Sequence, residues 1–428
     1  MIKPLLINTN DTNGGAARAA YRLHKGLQKI GIASKMLVQN KQSDDYTVIA
    51  MQDKLSKGIA KLKPTLDALP LQIYHQRDGS LYSLQWLPDT VTKKVAELNP
   101  DIINLHWING GYLQIENIAK LDKPIVWTLH DMWAFTGGCH IAGDCLNYTK
   151  SCGACYRLHS HKQQDISRWV WWRKTKAWQD LNLTIVTPSV WLAKCAAASS
   201  LFKDRRIEVI ANGLDTNKYK PVNKSIARAV LGLPEDKQLI LFGAMNATTD
   251  HNKGFHLLQS ALDNLSKAGW AERIELVVFG VSEPKNTPQL GFKSHYLGRL
   301  NDDISLALVY SAADVMIVPS IQEAFGQTAS ESLACGTPVV CFDSTGLKDI
   351  VEHQKNGYRA KCFSSDDLAT GIIWVIENQE RYQKLCDKAF ETVNKKFTLD
   401  LQAKRYLSLY EEILDKKFPD KLVAKFSL

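Results

Sequence analysis

Residues 319–340 read Pro-Ser-Ile-Gln-Glu-Ala-Phe-Gly-Gln-Thr-Ala-Ser-Glu-Ser-Leu-Ala-Cys-Gly-Thr-Pro-Val-Val, and this stretch predicts the fold. An apolar strand ends at Ser320, a helix starts near Gly326 and stops at Gly336, and a second apolar run follows. This order is typical of an open parallel α/β sheet, in which ligands bind beyond the carboxyl ends of the strands. Glu323 lies in that loop, so its carboxylate is well placed to hydrogen-bond the hydroxyl groups of a sugar.

Glu331 is the only charged residue of the helix in this stretch. A buried carboxylate needs hydrogen-bond partners, and the hydroxyl groups of a ribose would supply them. The alternative is that Glu323 and Glu331 are both solvated charges at the ends of the helix.

Short apolar runs alternate with helical patterns on both sides of this stretch, which predicts βα units and mainly parallel sheets. A first series of strands is predicted at residues 5–8, 34–39, 102–106, 125–130, 183–189 and 207–212. A second series is predicted at residues 238–244, 274–280, 314–320, 338–342 and 358–362. Two α/β domains are therefore expected.

The two series of strands are separated by Asn212-Gly213-Leu214-Asp215 and the polar segment after it. Segments rich in glycine, proline and polar residues commonly mark a domain boundary. We expect domains over residues 1–212 and 213–375. Residues 376–428 read as consecutive amphipathic helices without a strand, and we expect them to pack across both domains.

The composition is that of an ordinary folded protein, with 45% hydrophobic and 23% charged residues in 428. No apolar run approaches the roughly 18 to 20 residues of a membrane-spanning helix, and the N-terminal apolar stretch is too short for a signal peptide. A cytoplasmic chain is therefore expected.

Positive charge is concentrated in the first half of the chain. Residues 1–212 hold 27 basic and 17 acidic residues, whereas the remainder holds 26 and 27. Residues 168–178 interleave four tryptophans with four cations, and Lys54, Lys57, Lys61 and Lys63 form a second basic stretch. Such surfaces suit the inner face of an anionic membrane, or a polyanionic or phosphorylated partner. The alternative is that the tryptophans fill a core and the cations are solvated.

Gly14 and Gly15 lie between the first strand and a helix. Adjacent glycines allow a backbone to approach a ligand, and a helix N-terminus favours an anion. The same glycines would also serve a purely structural turn. The spacing is not Gly-x-Gly-x-x-Gly, so it does not indicate a dinucleotide site.

Four cysteines, Cys139, Cys145, Cys152 and Cys155, lie within one glycine-containing segment. The pair Cys152 and Cys155 has the Cys-x-x-Cys spacing that is typical of zinc sites, whereas Cys139 and Cys145 are spaced more widely. Structural zinc and reduced, unliganded thiols are both compatible with this pattern. A disulfide is the third interpretation, although the cytoplasm disfavours it.

The spacing from Glu323 to Glu331 resembles the Glu-x7-Glu signature of glycosyltransferase family four, which comprises retaining enzymes that use nucleotide sugars. Other matches follow in the family's order: Gly14-Gly15, Thr128-Leu129-His130-Asp131, Thr187-Pro188-Ser189, residues 210–215, Lys253-Gly254 and Ala313-Asp314-Val315. The resemblance implies the GT-B fold, with two Rossmann-like, doubly wound domains facing across a cleft. The first would hold the acceptor and the second the donor.

The resemblance also implies roles for individual residues. Glu323 would hold the donor sugar, Glu331 the ribose, and Lys253 would neutralise the departing diphosphate. His130 would contact the sugar from across the cleft. The remaining donor-binding positions are the Gly14-Gly15 loop, where Gly15 would approach the phosphate, and the amides of Phe325, Gly326 and Gln327. No separate general base is required, because in the front-face scheme the leaving phosphate accepts the acceptor's proton.

One position departs from the family pattern. An arginine usually follows the glycine that ends the strand before the Lys-Gly pair, whereas Gly243 is followed here by Ala244 and Met245. Arg299 or His251 could replace that cation. No Asp-x-Asp occurs in the chain, so a catalytic metal is not expected.

The sequence therefore predicts a metal-independent retaining glycosyltransferase that needs no cofactor for catalysis. It would transfer a sugar from a UDP- or GDP-sugar to a growing, lipid-linked glycan. Residues 130–140 resemble the subgroup that builds bacterial surface polysaccharides, such as exopolysaccharide, capsule or O-antigen. A nucleotide-sugar epimerase or synthase on the same fold is one alternative. A zinc-containing nucleic-acid-binding protein is another, but it explains neither Glu323 nor Glu331, so nucleic acid is not an expected partner.

Overall fold

The computed structural model describes residues 2–50, 54–243, 250–283 and 291–415. The chain folds as two compact units. The first unit comprises Met1–Ala211 and the chain from Gln402 onward, and the second comprises Asn212–Leu401. The first unit therefore ends one residue before the expected boundary at 212.

The first unit contains a seven-stranded sheet in the order β3-β2-β1-β4-β5-β6-β7, and all its neighbouring strands pair in parallel. Its strands are β1 Pro4–Asn10, β2 Lys35–Asn40, β3 Val48–Ala50, β4 Ile102–Leu105, β5 Ile125–Thr128, β6 Leu183–Thr187 and β7 Arg206–Val209. Its helices are α1 Gly15–Lys29, α2 Lys54–Ala68, α3 Val91–Leu98, α4 Ile115–Ile118, α5 Ile166–Trp178 and α6 Val190–Ala198. The central strands are buried on both faces, as expected for a doubly wound sheet.

The second unit contains a six-stranded parallel sheet in the order β10-β9-β8-β11-β12-β13. Its strands are β8 Gln238–Gly243, β9 Ile274–Phe279, β10 Ser294–Tyr296, β11 Val315–Val318, β12 Val339–Phe342 and β13 Gly357–Ala360. Its helices are α7 Lys224–Leu231, α8 Phe255–Lys267, α9 Asp303–Ala312, α10 Gln327–Ala334, α11 Ser365–Ile376 and α12 Gln379–Lys396.

The strand order reverses between β1 and β4 in the first sheet and between β8 and β11 in the second. Such a switch point opens a crevice at the carboxyl ends of the two strands, and ligands of doubly wound sheets bind there. The Gly14-Gly15 loop and His106 follow β1 and β4, while Lys253 and Glu323 follow β8 and β11. The two sheets thus bring candidate residues to equivalent positions.

The C-terminal helices are divided between the two units. Helix α12 buries Leu385, Ala389 and Val393 in the second unit, whereas the last helix, α13 Leu399–Leu414, enters the first unit at Gln402. Tyr406 and Tyr410 of α13 are buried in the core of the first unit. Of the described helices after residue 376, α12 therefore belongs to the second unit and most of α13 to the first. The expected packing of residues 376–428 across both domains stays a prediction.

Among the described residues, no helix combines the length and the hydropathy that a bilayer crossing requires.

Candidate active site

Two loops of the second unit are joined beyond the carboxyl ends of β8 and β11. The Asn252 side-chain amide donates to the Gln322 carbonyl oxygen at 2.7 Å, and its Oδ1 accepts from the Gln322 backbone N–H at 3.0 Å. The Ile321 N–H donates to the Asn252 carbonyl oxygen at 2.9 Å. These bonds fix the position of Lys253 relative to Glu323.

Lys253 and Glu323 form an ion pair at the centre of this region. Lys253 Nζ lies 3.2 Å from each of the Glu323 carboxylate oxygens, and about a fifth of each side chain is exposed. Burial acts to lower the pKa of Lys253, but the charges of Glu323 and Asp250 outweigh it and raise that pKa. Lys253 is therefore a fixed cation with one side open to a ligand.

Gly254 allows the two loops to approach each other. Its φ is 70°, and a Cβ at this position would lie 1.9 Å from the Pro319 carbonyl oxygen. Gly326, at φ 107°, precedes α10, and a Cβ there would lie 2.5 Å from Cδ2 of Leu347. Both positions need glycine for its conformation and for its lack of a side chain.

The start of α10 provides backbone amides rather than side chains. The Phe325 side chain is buried against Phe397, with ring centroids 5.7 Å apart, so only its backbone can serve a ligand. Gly326 is the N-cap residue, and the first turn contains no acidic residue. The helix dipole therefore favours an anion beside Gly326 and Gln327.

Glu331 is buried, as expected, and it has a protein partner that the sequence did not reveal. The Tyr310 hydroxyl donates to Glu331 Oε2 at 2.9 Å. Burial, followed by the charge of Glu331, raises the pKa of Tyr310 well above its usual value. Tyr310 lies on α9, and nothing in the sequence pairs that helix with α10.

The family's arginine is missing after Gly243, and its replacement by Arg299 or His251 stays a prediction. Arg299 is exposed in the loop before α9, and the His251 ring stacks on His256 with centroids 4.2 Å apart. Ala244 and Met245 lie outside the described residues.

In the first unit, Gly14 ends the β1 loop and is the N-cap residue of α1. Its φ is 101°, yet a Cβ would meet nothing within 4 Å, so glycine is needed here for backbone conformation alone. Gly15 is exposed at the helix start. Asp11, which sequence reasoning missed, holds the loop by accepting from the backbone N–H groups of Thr12, Gln42 and Ser43.

His130 follows β5 and pairs with His106, which follows β4. Nδ1 of His106 lies 2.9 Å from Nε2 of His130, and the two rings are stacked. Burial lowers the pKa of His130 to about 4 against the opposing charge of Asp131, and burial lowers the pKa of His106 well below its usual value. Both imidazoles are therefore neutral near pH 7, and one donates to the other. The sequence did not reveal this pairing.

Asp131 fixes the loop that carries His130. Its carboxylate accepts from Trp107 Nε1 at 2.9 Å, from the Trp133 backbone N–H at 2.8 Å and from His140 Nδ1 at 2.6 Å. Burial acts to raise the pKa of Asp131, but His140 and these donors outweigh it and lower that pKa. His130 thus lies on a rigid loop.

The cysteine segment packs against this loop. The Gly137 N–H donates to Cys152 Sγ at 3.0 Å, and the fully buried Lys174 donates to the carbonyl oxygens of Trp133 and Thr136. Over the described parts of the chain, no three His, Cys, Asp or Glu side chains are grouped so that they could hold a metal ion. The four cysteines are free thiols in this structure, and zinc binding stays a prediction.

Residues 168–178 lie on helix α5, where some of the tryptophans and cations are exposed and others fill the core. Trp169 and Trp172 are exposed, whereas Trp178, Arg173 and Lys174 are buried. Only part of this helix is therefore available to a membrane.

Solved structures share this architecture over nearly the whole chain. Sucrose-phosphate synthase from Thermosynechococcus elongatus is 19% identical, with a TM-score of 0.69 over 97% of this chain and 100% of that one. The Anabaena protein HepE, solved in complex with UDP and glucose, is 17% identical, with a TM-score of 0.64 over 96% and 100% of the two chains. The expected fold class is confirmed: the two doubly wound parallel sheets are those of the GT-B fold.

Two family models match most of the chain: Glycosyltransferase Family 4 over residues 13–218 and Glycosyl transferases group 1 over residues 223–392. The chain belongs to glycosyltransferase family 4. It is 25% identical over 331 residues to an uncharacterized glycosyltransferase of Methanocaldococcus jannaschii, which covers 72% of this chain and 81% of that protein. A D-inositol 3-phosphate glycosyltransferase of Nocardioides sp. is 30% identical, but the match spans only 48% of each chain.

Proposed function

We propose that this protein is a retaining glycosyltransferase that transfers a sugar from a UDP- or GDP-sugar to a growing, lipid-linked glycan. The observation that carries the proposal is the Lys253–Glu323 pair, held beyond the carboxyl ends of β8 and β11 at the switch point of the second sheet. A cation and an acid at that position suit a diphosphate attached to a sugar.

Most of the groups that bind the donor would come from the second unit. Glu323 would accept hydrogen bonds from the sugar hydroxyls, and Glu331, already bonded to Tyr310, would accept from the ribose. Lys253 and the amides at the start of α10 would face the diphosphate. Negative charge grows on that diphosphate as the anomeric bond breaks, and fixed positive groups stabilise it without reorganisation. Lys253 and the amides at the start of α10 would supply the positive charge that stabilises the diphosphate, so we propose that the reaction needs no metal.

The ion pair has a second role in this scheme. At 3.2 Å to both carboxylate oxygens, Lys253 is shared between them rather than bonded closely to one. A donor diphosphate could therefore gain the lysine while Glu323 turns to the sugar. Before donor binds, Glu323 keeps the lysine charged and in place.

His130 would contribute a neutral imidazole, able to donate or accept a hydrogen bond at a sugar hydroxyl. Because His106 and Asp131 fix its ring and its loop, its orientation is set before substrate arrives. The departing phosphate would accept the proton of the acceptor hydroxyl, as in the front-face scheme of retaining enzymes.

We place the reaction in surface-polysaccharide synthesis, such as exopolysaccharide, capsule or O-antigen, at the inner face of the cytoplasmic membrane. The resemblance of residues 130–140 to that subgroup supports this assignment. The UDP and glucose of the Anabaena neighbour make UDP-glucose the first donor to test.

Calorimetric titration with UDP, GDP, ADP and dTDP tests the donor site. We expect one nucleotide to bind selectively and to bind at least about tenfold more weakly to Glu331→Ala, which loses a buried acceptor. Glu377→Ala removes an exposed carboxylate of the same unit and is the matched control. Binding of a nucleic-acid oligomer, without binding of any nucleotide, would contradict the proposal.

Product analysis then tests the chemistry. Incubation with donor and acceptor should give a glycoside whose anomeric configuration equals that of the donor, measured by NMR. Incubation with donor alone is the control. An epimerised sugar in that sample would identify an epimerase, and an inverted glycoside would contradict the retaining mechanism.

A further inference from the structure

The 3-10 turn Thr345–Asp349 follows β12 and begins at a strained backbone position. Thr345 has a φ of 51°, and it is the only β-branched residue with a positive φ in the described parts of the chain. A β-branched residue is a genuine outlier in this left-handed region, because its side chain crowds the backbone. Glycine would adopt the same conformation without strain. The backbone conformation therefore does not account for a threonine at this position.

This turn holds both backbone groups of Glu323. The Glu323 N–H donates to Thr345 Oγ1 at 3.1 Å, and the Gly346 N–H donates to the Glu323 carbonyl oxygen at 2.9 Å. A glycine in place of the threonine would keep the second bond and lose the first. The hydroxyl group is thus what the strained residue adds to the turn.

The same turn packs against the residues that follow Glu323. A Cβ on Gly346 would lie 2.5 Å from the Ala324 carbonyl oxygen, so only glycine permits this approach. Leu347 is fully buried against Gly326, the N-cap residue of α10. The turn therefore contacts the chain from Glu323 to the start of α10.

Glu323 lies between two points of attachment. On one side, the Asn252 side chain bonds both backbone groups of Gln322, and on the other Thr345 bonds Glu323 itself. With the backbone held on both sides, the carboxylate can move only by rotations of its own side chain. Its oxygens lie 3.2 Å from Lys253 Nζ in this arrangement.

Folding stability alone does not explain the threonine. A hydrogen bond between neutral groups adds little net stability, and the strain of a left-handed residue with a Cβ offsets a similar amount. Strained backbone of this kind is concentrated at functional sites, where the surrounding structure maintains it. The bond from Thr345 to Glu323 connects the strain directly to the candidate site.

We propose that Thr345 is a positioning residue for Glu323. Its hydroxyl group would fix the Glu323 peptide, so that the carboxylate is directed at the sugar of a nucleotide-sugar donor before the donor binds. Reaction rates depend steeply on such positioning, since a displacement of about 1 Å can cost about 100-fold. The inference deepens the proposed function and rests on it for the role of Glu323.

Amide hydrogen exchange of the full-length protein without ligand tests the hydrogen bond. Thr345→Val keeps the β-branched shape and the strain but removes the hydroxyl group. The Glu323 amide, measured by mass spectrometry in peptides covering residues 320–326, should then exchange at least about tenfold faster. Thr345→Ser keeps the hydroxyl group and should exchange like the parent. Equal exchange in the parent and in Thr345→Val would overturn the proposal.

Steady-state kinetics tests the positioning role, with the donor and acceptor found by nucleotide titration and product analysis. Thr345→Val should lower kcat at least about tenfold and change the donor KM by less than about threefold, because Glu323 remains present but is displaced. Thr345→Ser should recover most of the lost kcat. A serine variant as slow as the valine variant would contradict the role of the hydroxyl group.

Thr345→Gly separates positioning from stability. It lacks the hydroxyl group, as Thr345→Val does, but it is free of the strain. It should therefore unfold at a higher temperature than Thr345→Val and yet turn over as slowly. Recovery of kcat together with stability would assign Thr345 a structural role and overturn the proposal.

Ser364→Ala is the matched control. The Ser364 hydroxyl group also accepts from a backbone N–H, that of Asp367 at 3.2 Å, at the start of α11. Its removal should lower thermal stability but leave kcat and the exchange of residues 320–326 unchanged. A similar loss of kcat in this variant would assign the effect to stability and overturn the proposal. A parent without transferase activity would contradict the proposed function, whereas the exchange experiment would still decide whether Thr345 holds the Glu323 peptide.

Discussion

Lys253 is the residue on which the proposed donor site depends most directly. Lys253→Met preserves much of the side-chain volume and removes the charge, so we expect kcat to fall about 100- to 1000-fold, the usual loss when one stabilising group is removed. Folding stability should fall by about 1–3 kcal/mol, because about four fifths of each side chain is buried and the Glu323 carboxylate loses its partner. Steady-state kinetics and thermal unfolding measure the two effects.

The control for this change is Lys355→Met, which removes an exposed lysine of the same unit. It should leave kcat unchanged. Full activity of Lys253→Met would mean that the diphosphate is stabilised elsewhere.

The folding stability of the protein should depend on pH through His24, a buried residue outside the candidate site. It is buried between the hydroxyl groups of Ser34 and Thr47, each 2.8 Å away, and burial lowers its pKa from 6.5 to about 4. The unfolded chain therefore binds more protons between these values. His24 contributes stability that is complete above pH 6.5 and is lost as the pH falls towards 4, at up to about 1.4 kcal/mol per pH unit.

Urea unfolding of the parent and of His24→Gln across pH 4–7 measures this contribution. The variant should be less stable at pH 7 but should lose less stability on acidification. An identical pH slope in both proteins would assign the acid sensitivity to other groups, among them His106 and His130.

At the scale of the elements, the loops after β8 and β11 act as one structure joined at Gly254. Gly254→Ala places a methyl group against the Pro319 carbonyl oxygen and must separate the loops. We expect nucleotide affinity to fall by at least about tenfold, with a stability loss above the roughly 1–2 kcal/mol of left-handed strain alone.

Gly232→Ala provides the matched comparison. Gly232 has a φ of 65°, close to the 70° of Gly254, but a Cβ there meets nothing within 4 Å. Its variant carries the backbone strain without the steric clash and should retain nucleotide affinity. Equal affinity of the two variants would mean that the approach of the loops does not matter for binding.

The elements also show what sequence patterns can and cannot predict. Strands with four or more buried residues were predicted because continuous apolar runs mark them. The edge strands β3 and β10, three residues each, were missed because so short a run has no periodicity. In the candidate site, Glu323, Glu331 and Lys253 were proposed from their motif. Tyr310, His106 and Asp11 were not, because their partners lie on other elements.

At the scale of the whole molecule, the first unit depends on the end of the described chain. Tyr406, Leu409 and Tyr410 of α13 fill its core, and the side chains of Asn104 and Thr128 hydrogen-bond the two tyrosines. Ending the chain after Leu401 should unfold the first unit, because removing even one such aromatic side chain typically costs about 3–5 kcal/mol.

The second unit should keep its fold in that truncated protein, since Asn212–Leu401 contains its own sheet and core. Circular dichroism should show partial loss of structure while nucleotide binding in calorimetry persists. Complete unfolding of the chain, or an intact first unit, would contradict this division.

The return of α13 to the first unit also sets an order of events during synthesis. The ribosome makes Met1–Ala211 first, but the core formed by those residues stays incomplete until Gln402 and the residues after it have emerged. At 5–20 residues per second, synthesis of the intervening second unit takes about 10–40 s. Throughout that interval the nascent first unit exposes the apolar surface that α13 will cover, so the first unit should become stable only after the second, although it is made before it.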